Sequence, residues 1–212
     1  MTAQNEEFTN KYDKKSGKGN QDGVISELTT FWTVKPGHAS DLRAALARFE
    51  ARLRELPEDQ RTRTGIRDAR IVLFENDTRM LFATHFETDW DPYIDDVVLV
   101  IGMRYFLDWM EHVVEGDRIH DWARRSGITK FDVNDPSLDE LVKRTAGEFK
   151  VIIQSTQVGC DVYINVLNEY TVPEILKAAR VNRAFQQVLD DPAAEAPLQQ
   201  PALKPLLDQA AV

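Results

Sequence analysis

Asp68-Ala69-Arg70-Ile71-Val72-Leu73-Phe74-Glu75-Asn76-Asp77-Thr78-Arg79-Met80-Leu81-Phe82-Ala83-Thr84-His85-Phe86 holds two apolar runs on either side of a short polar break. Runs of this length, rich in β-branched and aromatic residues and parted by Glu75-Asn76-Asp77-Thr78, read as two strands folded back in a hairpin. Asp91-Pro92 follows. An aspartate suits a helix cap and a proline the first helical position, so a helix starts there. Hairpin then helix is half of a ferredoxin-like βαββα unit.

Towards the N-terminus, Ser26–Val34 alternates, with Leu28, Thr30, Trp32 and Val34 on one face and Thr29, Phe31 and Thr33 on the other. This is a strand with both faces partly apolar. Lys35-Pro36-Gly37 stops it. Leu42, Ala45, Leu46, Phe49, Leu53 and Leu56 then form one helical stripe, with Ser40 or Asp41 near the cap and Pro57 at the end. A polar loop from Glu58 to Gly65 leads into the hairpin.

Towards the C-terminus, Tyr93, Val97, Val98 and Ile101 continue the helix, and Gly102 kinks or divides it. A second helical run carries Tyr105, Phe106, Trp109, Met110 and Val113; a third carries Ile119, Trp122 and Ala123 and ends near Gly127. Pro136–Ala146 reads as a short amphipathic helix. Phe149–Ser155 and Cys160–Leu167 read as strands around Gln157-Val158-Gly159, and Thr171 caps a helix through Ile175, Leu176, Ala179, Phe185 and Leu189. Strand, turn, strand, helix thus occurs twice, and Ile128–Val133 is the best candidate for the opening strand of the second unit.

The expected fold is α+β: two ferredoxin-like repeats whose antiparallel sheets pack face to face, with helices outside. Residues 1–23 form a flexible N-terminal arm, 24–127 the first repeat with extra helices, 128–190 a second, degenerate repeat, and 191–212 a Pro/Ala-rich C-terminal tail. The arm offers Phe8 and Tyr12 as anchors for a partner subunit. The tail offers Leu198, Leu203, Leu206 and Leu207.

The 212 residues are 42% hydrophobic and 29% charged, an ordinary globular balance with material for a sizeable core. A net charge of −9, with no Lys/Arg-rich run, argues against a nucleic-acid partner. The single cysteine, Cys160, rules out an internal disulfide and Cys-rich metal sites, and fits a reducing cytoplasm. The N-terminal residues lack the apolar stretch of a signal peptide, and Val97–Ile101 is too short to cross a bilayer. The expected location is cytoplasmic, with no membrane partner.

The Ser26–Val34 strand, Val34-Lys35-Pro36-Gly37, the helix and the hairpin together resemble the dimeric α/β-barrel superfamily. Phe82-Ala83-Thr84-His85-Phe86 leading into Asp89-Trp90-Asp91-Pro92-Tyr93-Ile94-Asp95-Asp96 is similar to bacterial members of that group. The resemblance covers residues 25–100 well and 148–190 more loosely. It implies the fold, a homodimer and a ligand-sized cavity. The superfamily includes cofactor-free monooxygenases, haem-degrading proteins, small-ring isomerases and two-repeat haem enzymes related to chlorite dismutase and dye-decolourising peroxidase. In those haem enzymes the proximal ligand comes from the C-terminal half, and the second repeat of this chain, residues 128–190, contains no histidine.

His85, on the third strand in register with Leu81 and Ala83, is the candidate general base, since imidazole titrates near neutrality. Trp32, Arg70 and Tyr93 are the candidate substrate-binding residues, with Arg70 orienting an acidic or enolate-like group. His38, at a helix entrance, reads as a surface or capping residue. His112 and His120, near Phe106, Trp109 and Trp122, are the residues a haem would use. Asp89, Asp91, Asp95 and Asp96 favour a helix N-terminus rather than a cation. No metal-loop spacing, His-Glu zinc pair, phosphate loop, nucleophile elbow or dinucleotide fingerprint is present, and Cys160 reads as a small apolar residue.

The leading expectation is an enzyme that needs no cofactor, a monooxygenase or isomerase acting on an apolar or aromatic small molecule. The alternative, from another class, is a non-catalytic subunit that binds a partner protein through its barrel surface and C-terminal tail. A haem-binding oxidoreductase is the third.

Overall fold

The computed structural model describes residues 19–87, 89–128, 135 and 146–210. It is an α+β chain in two compact units divided between Thr171 and Val172. The first contains a four-stranded antiparallel sheet of β1 (Gln21–Asp22), β2 (Ile25–Thr33), β3 (Ile66–Phe74) and β4 (Arg79–Phe86), ordered β1-β2-β4-β3.

The hairpin forms as its sequence requires. Phe74 pairs with Arg79 and Leu73 with Met80. Glu75, Asn76 and Asp77 turn the chain at positive φ, a region that Asn and Asp tolerate better than most, and the Thr78 N–H donates to the Glu75 carbonyl at 3.2 Å. β4 lies between β2 and β3 and is antiparallel to both, so β2 and β3 are parallel to each other. Parallel strands need a crossover, and α1 (Ala39–Glu55) with α2 (Glu58–Arg63) supplies it. Glu58–Arg63 is therefore a helical turn rather than a loop. At the end of the expected arm, Gln21–Asp22 is ordered as an edge strand; residues 1–18 lie outside the described residues.

The helices of this unit gather on one face of its sheet. Leu28, Thr30 and Trp32 of β2 and Met80, Thr84 and Phe86 of β4 are buried there, beneath α3 (Trp90–Ile101), α4 (Met103–Met110) and α6 (Ala146–Thr156). α1 clamps onto the same layer: Phe49 meets Phe106 edge-on at 5.0 Å, and Arg48 binds Asp108 with two hydrogen bonds of 2.7 and 2.9 Å. α5 (Gly116–Arg125) completes the layer, with Trp122 against Phe149 of α6. The opposite face carries Thr29, Phe31, Leu81, Ala83, Val72 and Phe74 by register, all half-buried.

Asp89 rather than Asp91 precedes the first helical residue of α3, and Gly102, at φ 101°, divides α3 from α4. α5 ends at Arg125, with Ser126 as its C-terminal cap just before Gly127 at φ 96°.

The second repeat is corrected by the described residues. Phe149–Ser155 lies within helix α6, and Cys160–Leu167 is irregular and turns at its end, with no strand. Phe149, Ile152 and Ile153 are buried at helical spacing, so the run satisfies a helix face rather than a sheet. An isolated bridge, Thr30 to Gln157, and a 2.9 Å bond from the Val158 N–H to the Thr29 carbonyl join the following segment to β2. Residues 129–134 and 136–145, where the opening strand and the amphipathic helix were expected, lie outside the described residues.

The second unit is α7 (Val172–Leu189) followed by short turns of helix at Pro192–Ala194, Glu195–Leu198, Pro201–Leu203 and Lys204–Ala210. Prolines break the tail into these pieces. No described residue from Val172 onward is fully buried. Among the described residues, no helix is long and apolar enough to cross a membrane.

Candidate functional site

His85 lies on the face of the sheet turned away from the helices. Register places it between Glu27 of β2 and Asp68 of β3. Its Nδ1 is 2.8 Å from the Asp68 carboxylate, and its ring stacks on Tyr163 with centroids 5.1 Å apart and planes 12° off parallel. An ionised carboxylate only accepts, so Nδ1 carries the proton and Nε2 is the basic nitrogen. The hydrogen bond to Asp68 raises the His85 pKa above the ordinary imidazole value. Partial burial opposes the shift, and the Asp68 and Glu27 charges reinforce it.

A polar frame holds this end of the sheet. Glu27 is buried and accepts from the Asn20 N–H at 3.0 Å and the Thr29 hydroxyl at 2.8 Å. Arg67 forms a 2.8 Å ion pair with Glu87 and also donates to the Tyr170 carbonyl. Asp22 accepts from the Asn165 N–H at 2.7 Å and the Asn168 side chain at 2.6 Å, which lowers its pKa. These bonds tie the segment carrying Tyr163 across the end of the sheet. Burial raises the Tyr163 pKa, so its ring serves as a neutral stacking plate.

The other expected site residues divide between the two faces. Trp32 and Tyr93 lie on the helix-covered face. The Trp32 indole N–H donates to the Thr30 hydroxyl at 2.8 Å, and its ring meets Trp109 edge-on at 5.1 Å. Tyr93 is stacked 4.1 Å from Phe86 and its hydroxyl lies 2.9 Å from that of Thr84. The Thr84 hydroxyl donates to the Asp68 carbonyl at 2.8 Å, so the Tyr93 hydroxyl is the donor to Thr84. Burial pushes the Tyr93 pKa far above that of a free phenol. The cavity lined by Trp32, Tyr93, Phe106 and Trp109 is about 30 Å³, the size of one water rather than of a substrate or a porphyrin. The expectation that Trp32 and Tyr93 share a ligand cavity with His85 and Arg70 is therefore corrected. Alternation along β4 sends Thr84 inward and His85 outward, and Tyr93 follows Thr84.

Arg70 is exposed and pairs with Ala83, on the face of His85. It also stands at the rim of a groove of about 550 Å³ between α1 and β3, floored by Leu46, Phe49, Leu53, Ile71 and Leu73. The His120 imidazole lies 3.2 Å from the Leu107 carbonyl, and burial lowers its pKa. Cys160 is half-exposed and its carbonyl accepts from the Asn20 side chain.

Compared with known proteins, the chain matches no family model, no curated protein and no solved structure. The site must therefore be read from its own geometry.

Two groupings were invisible to sequence reasoning. Asp68 and His85 stand seventeen positions apart and meet only through the hairpin register, though counting outward from the Glu75–Thr78 turn could have paired them. His38 and His112 are 74 positions apart, with their Nδ1 atoms 3.1 Å from each other. No spacing in the sequence signals that second pair.

Proposed function

We propose that this protein is an enzyme that removes a proton from an apolar or aromatic small molecule on the open face of its sheet. The observation that carries this reading is the Asp68–His85 hydrogen bond beside the Tyr163 plate. Asp68 fixes the tautomer and steadies the imidazolium formed when Nε2 takes the proton. Tyr163, Phe31 and Leu81 supply apolar contact, and Arg70 attracts the anionic end of an enolate-like product. Rearrangement of that carbanion gives isomerisation; its reaction with dioxygen gives oxidation without a cofactor.

In this reading the half-buried Phe31, Val72, Phe74 and Leu81 are covered by the same face of a second copy. That arrangement is the face-to-face sheet pairing of the dimeric α/β-barrel proteins the sequence resembles. It supplies between two chains the second sheet that one chain was expected to supply alone.

Deuterium exchange tests the chemistry. Enolisable aromatic and alicyclic ketones incubated in D2O should gain deuterium faster with wild-type protein than with His85→Gln, and Asp68→Asn should fall between. Equal rates for wild type and His85→Gln across the panel would defeat the proposal. Oxygen uptake with the same panel separates the oxidative branch from simple isomerisation.

One observation favours the second reading, a non-catalytic subunit. Val162, Ile164 and Val166 are 75%, 78% and 93% exposed along one segment. Three β-branched side chains left this exposed at alternate positions make an apolar strip that a partner could cover. Under this reading the strip pairs with another protein, and His85→Gln leaves binding of that protein intact.

A further inference from the structure

We propose that His38, Asp41 and His112 form a binding site for a divalent first-row transition metal such as zinc. One ligand atom from each residue lies within 4.8 Å of the others. The two imidazole Nδ1 atoms are 3.1 Å apart, with ring planes tilted by 47°. Two nitrogens bound to one tetrahedral zinc at about 2.0–2.1 Å stand about 3.3 Å apart, so little movement separates this pair from a shared ion. A hydrogen bond between the rings explains the pair by itself; the Asp41 carboxylate, in the first turn of α1, closes the triangle.

The three residues are held in place by backbone. His38 precedes the first residue of α1, its N–H donating to the Lys35 carbonyl at 3.0 Å and its carbonyl accepting from the Leu42 N–H at 2.8 Å. Asp41 stands in the first turn of the same helix. His112 arrives from the link between α4 and α5. The Lys35 N–H donates to its carbonyl at 3.0 Å, and Val34 bridges to Val113. Rigid placement of ligands from two segments favours metal binding, because little ordering remains to be done.

The surroundings suit a cation. The nearby Lys35 ammonium is taken up by Asp117 at 2.6 Å and the Glu111 carbonyl at 2.8 Å. Two nitrogens and one oxygen match zinc, cobalt or nickel better than magnesium or calcium, which prefer oxygen alone. Asp41 is exposed, so an ion has a way in and a water can take the fourth position. Once bound, the metal clips the start of α1 to the α4–α5 link, and the folded state gains by mass action.

The full chain, stripped with chelator, is titrated with Zn2+ by calorimetry and with Co2+ by visible absorption. Wild type is expected to take one equivalent with a rise in melting temperature, and Co2+ to give tetrahedral ligand-field bands. Asp41→Asn and His38→Gln alter side chains outside the core. Each should weaken zinc at least tenfold and abolish the thermal shift, while His85→Gln should leave both unchanged. Zinc binding in Asp41→Asn and His38→Gln as tight as in wild type, no binding in wild type, or loss of binding in His85→Gln overturns the proposal.

Discussion

Asp68 acts on His85 both by hydrogen bond and by charge, and the consequence can be measured. Because the folded-state pKa of His85 is raised, the stabilisation from this pair is fully present below the unfolded value near 6.5 and fades as pH rises through the folded value. Asp68→Asn should move the His85 NMR titration back towards the ordinary imidazole range. The stability gap between wild type and Asp68→Asn, roughly 0.5 kcal/mol for so exposed a pair, should be present at pH 6 and shrink under alkaline conditions in urea unfolding. Tyr93→Phe breaks the chain from Tyr93 through Thr84 to the Asp68 carbonyl and should cost about 1 kcal/mol in the same measurement. Alternation in the sequence placed Trp32 with Leu28 and Thr30 correctly. It did not reveal that Tyr93 would follow Thr84 into the core, because Tyr93 joins the sheet only through the angle at which α3 returns.

Gly102 shows what one residue does for two elements. At φ 101° it permits the break that lets α4 turn back against α1, and a side chain there is strained. Gly102→Ala should destabilise the protein by about 1–2 kcal/mol, seen as a lower urea midpoint with an unchanged slope. The hairpin, strand β2 and helices α1, α3, α4 and α5 were legible because each has a strong period and clear punctuation. Val151-Ile152-Ile153 misled because β-branched residues favour strands when read alone. Here Phe149, Ile152 and Ile153 find a helical layer to pack against, including Trp122, and that tertiary contact outweighs local preference. Cys160–Leu167 has the alternation of a strand without the ladder, since alternation prepares two faces but does not supply a neighbour.

At the scale of the whole chain, the proposed function requires a second copy on the sheet face that carries His85. Sedimentation velocity should show a homodimer, and Leu81→Glu, which sets a charge at the middle of that face, should shift it to monomer while circular dichroism stays the same. A monomeric wild type would remove the barrel from the proposed function and leave the Asp68–His85 pair on an uncovered surface. Ending the chain after Thr171 should leave the melting of the first unit unchanged, because the division falls there and no described residue from Val172 onward is fully buried. The sequence announced an α+β sheet layer but not the unequal halves, since helical and extended readings of one short apolar run differ only in what lies next to it.

All four tryptophans, Trp32, Trp90, Trp109 and Trp122, are buried in the sheet-and-helix unit, and none falls after Thr171. Their emission should therefore be blue and poorly quenched by acrylamide, and should redden in one step when that unit opens. The C-terminal helices can melt without changing the colour of the light.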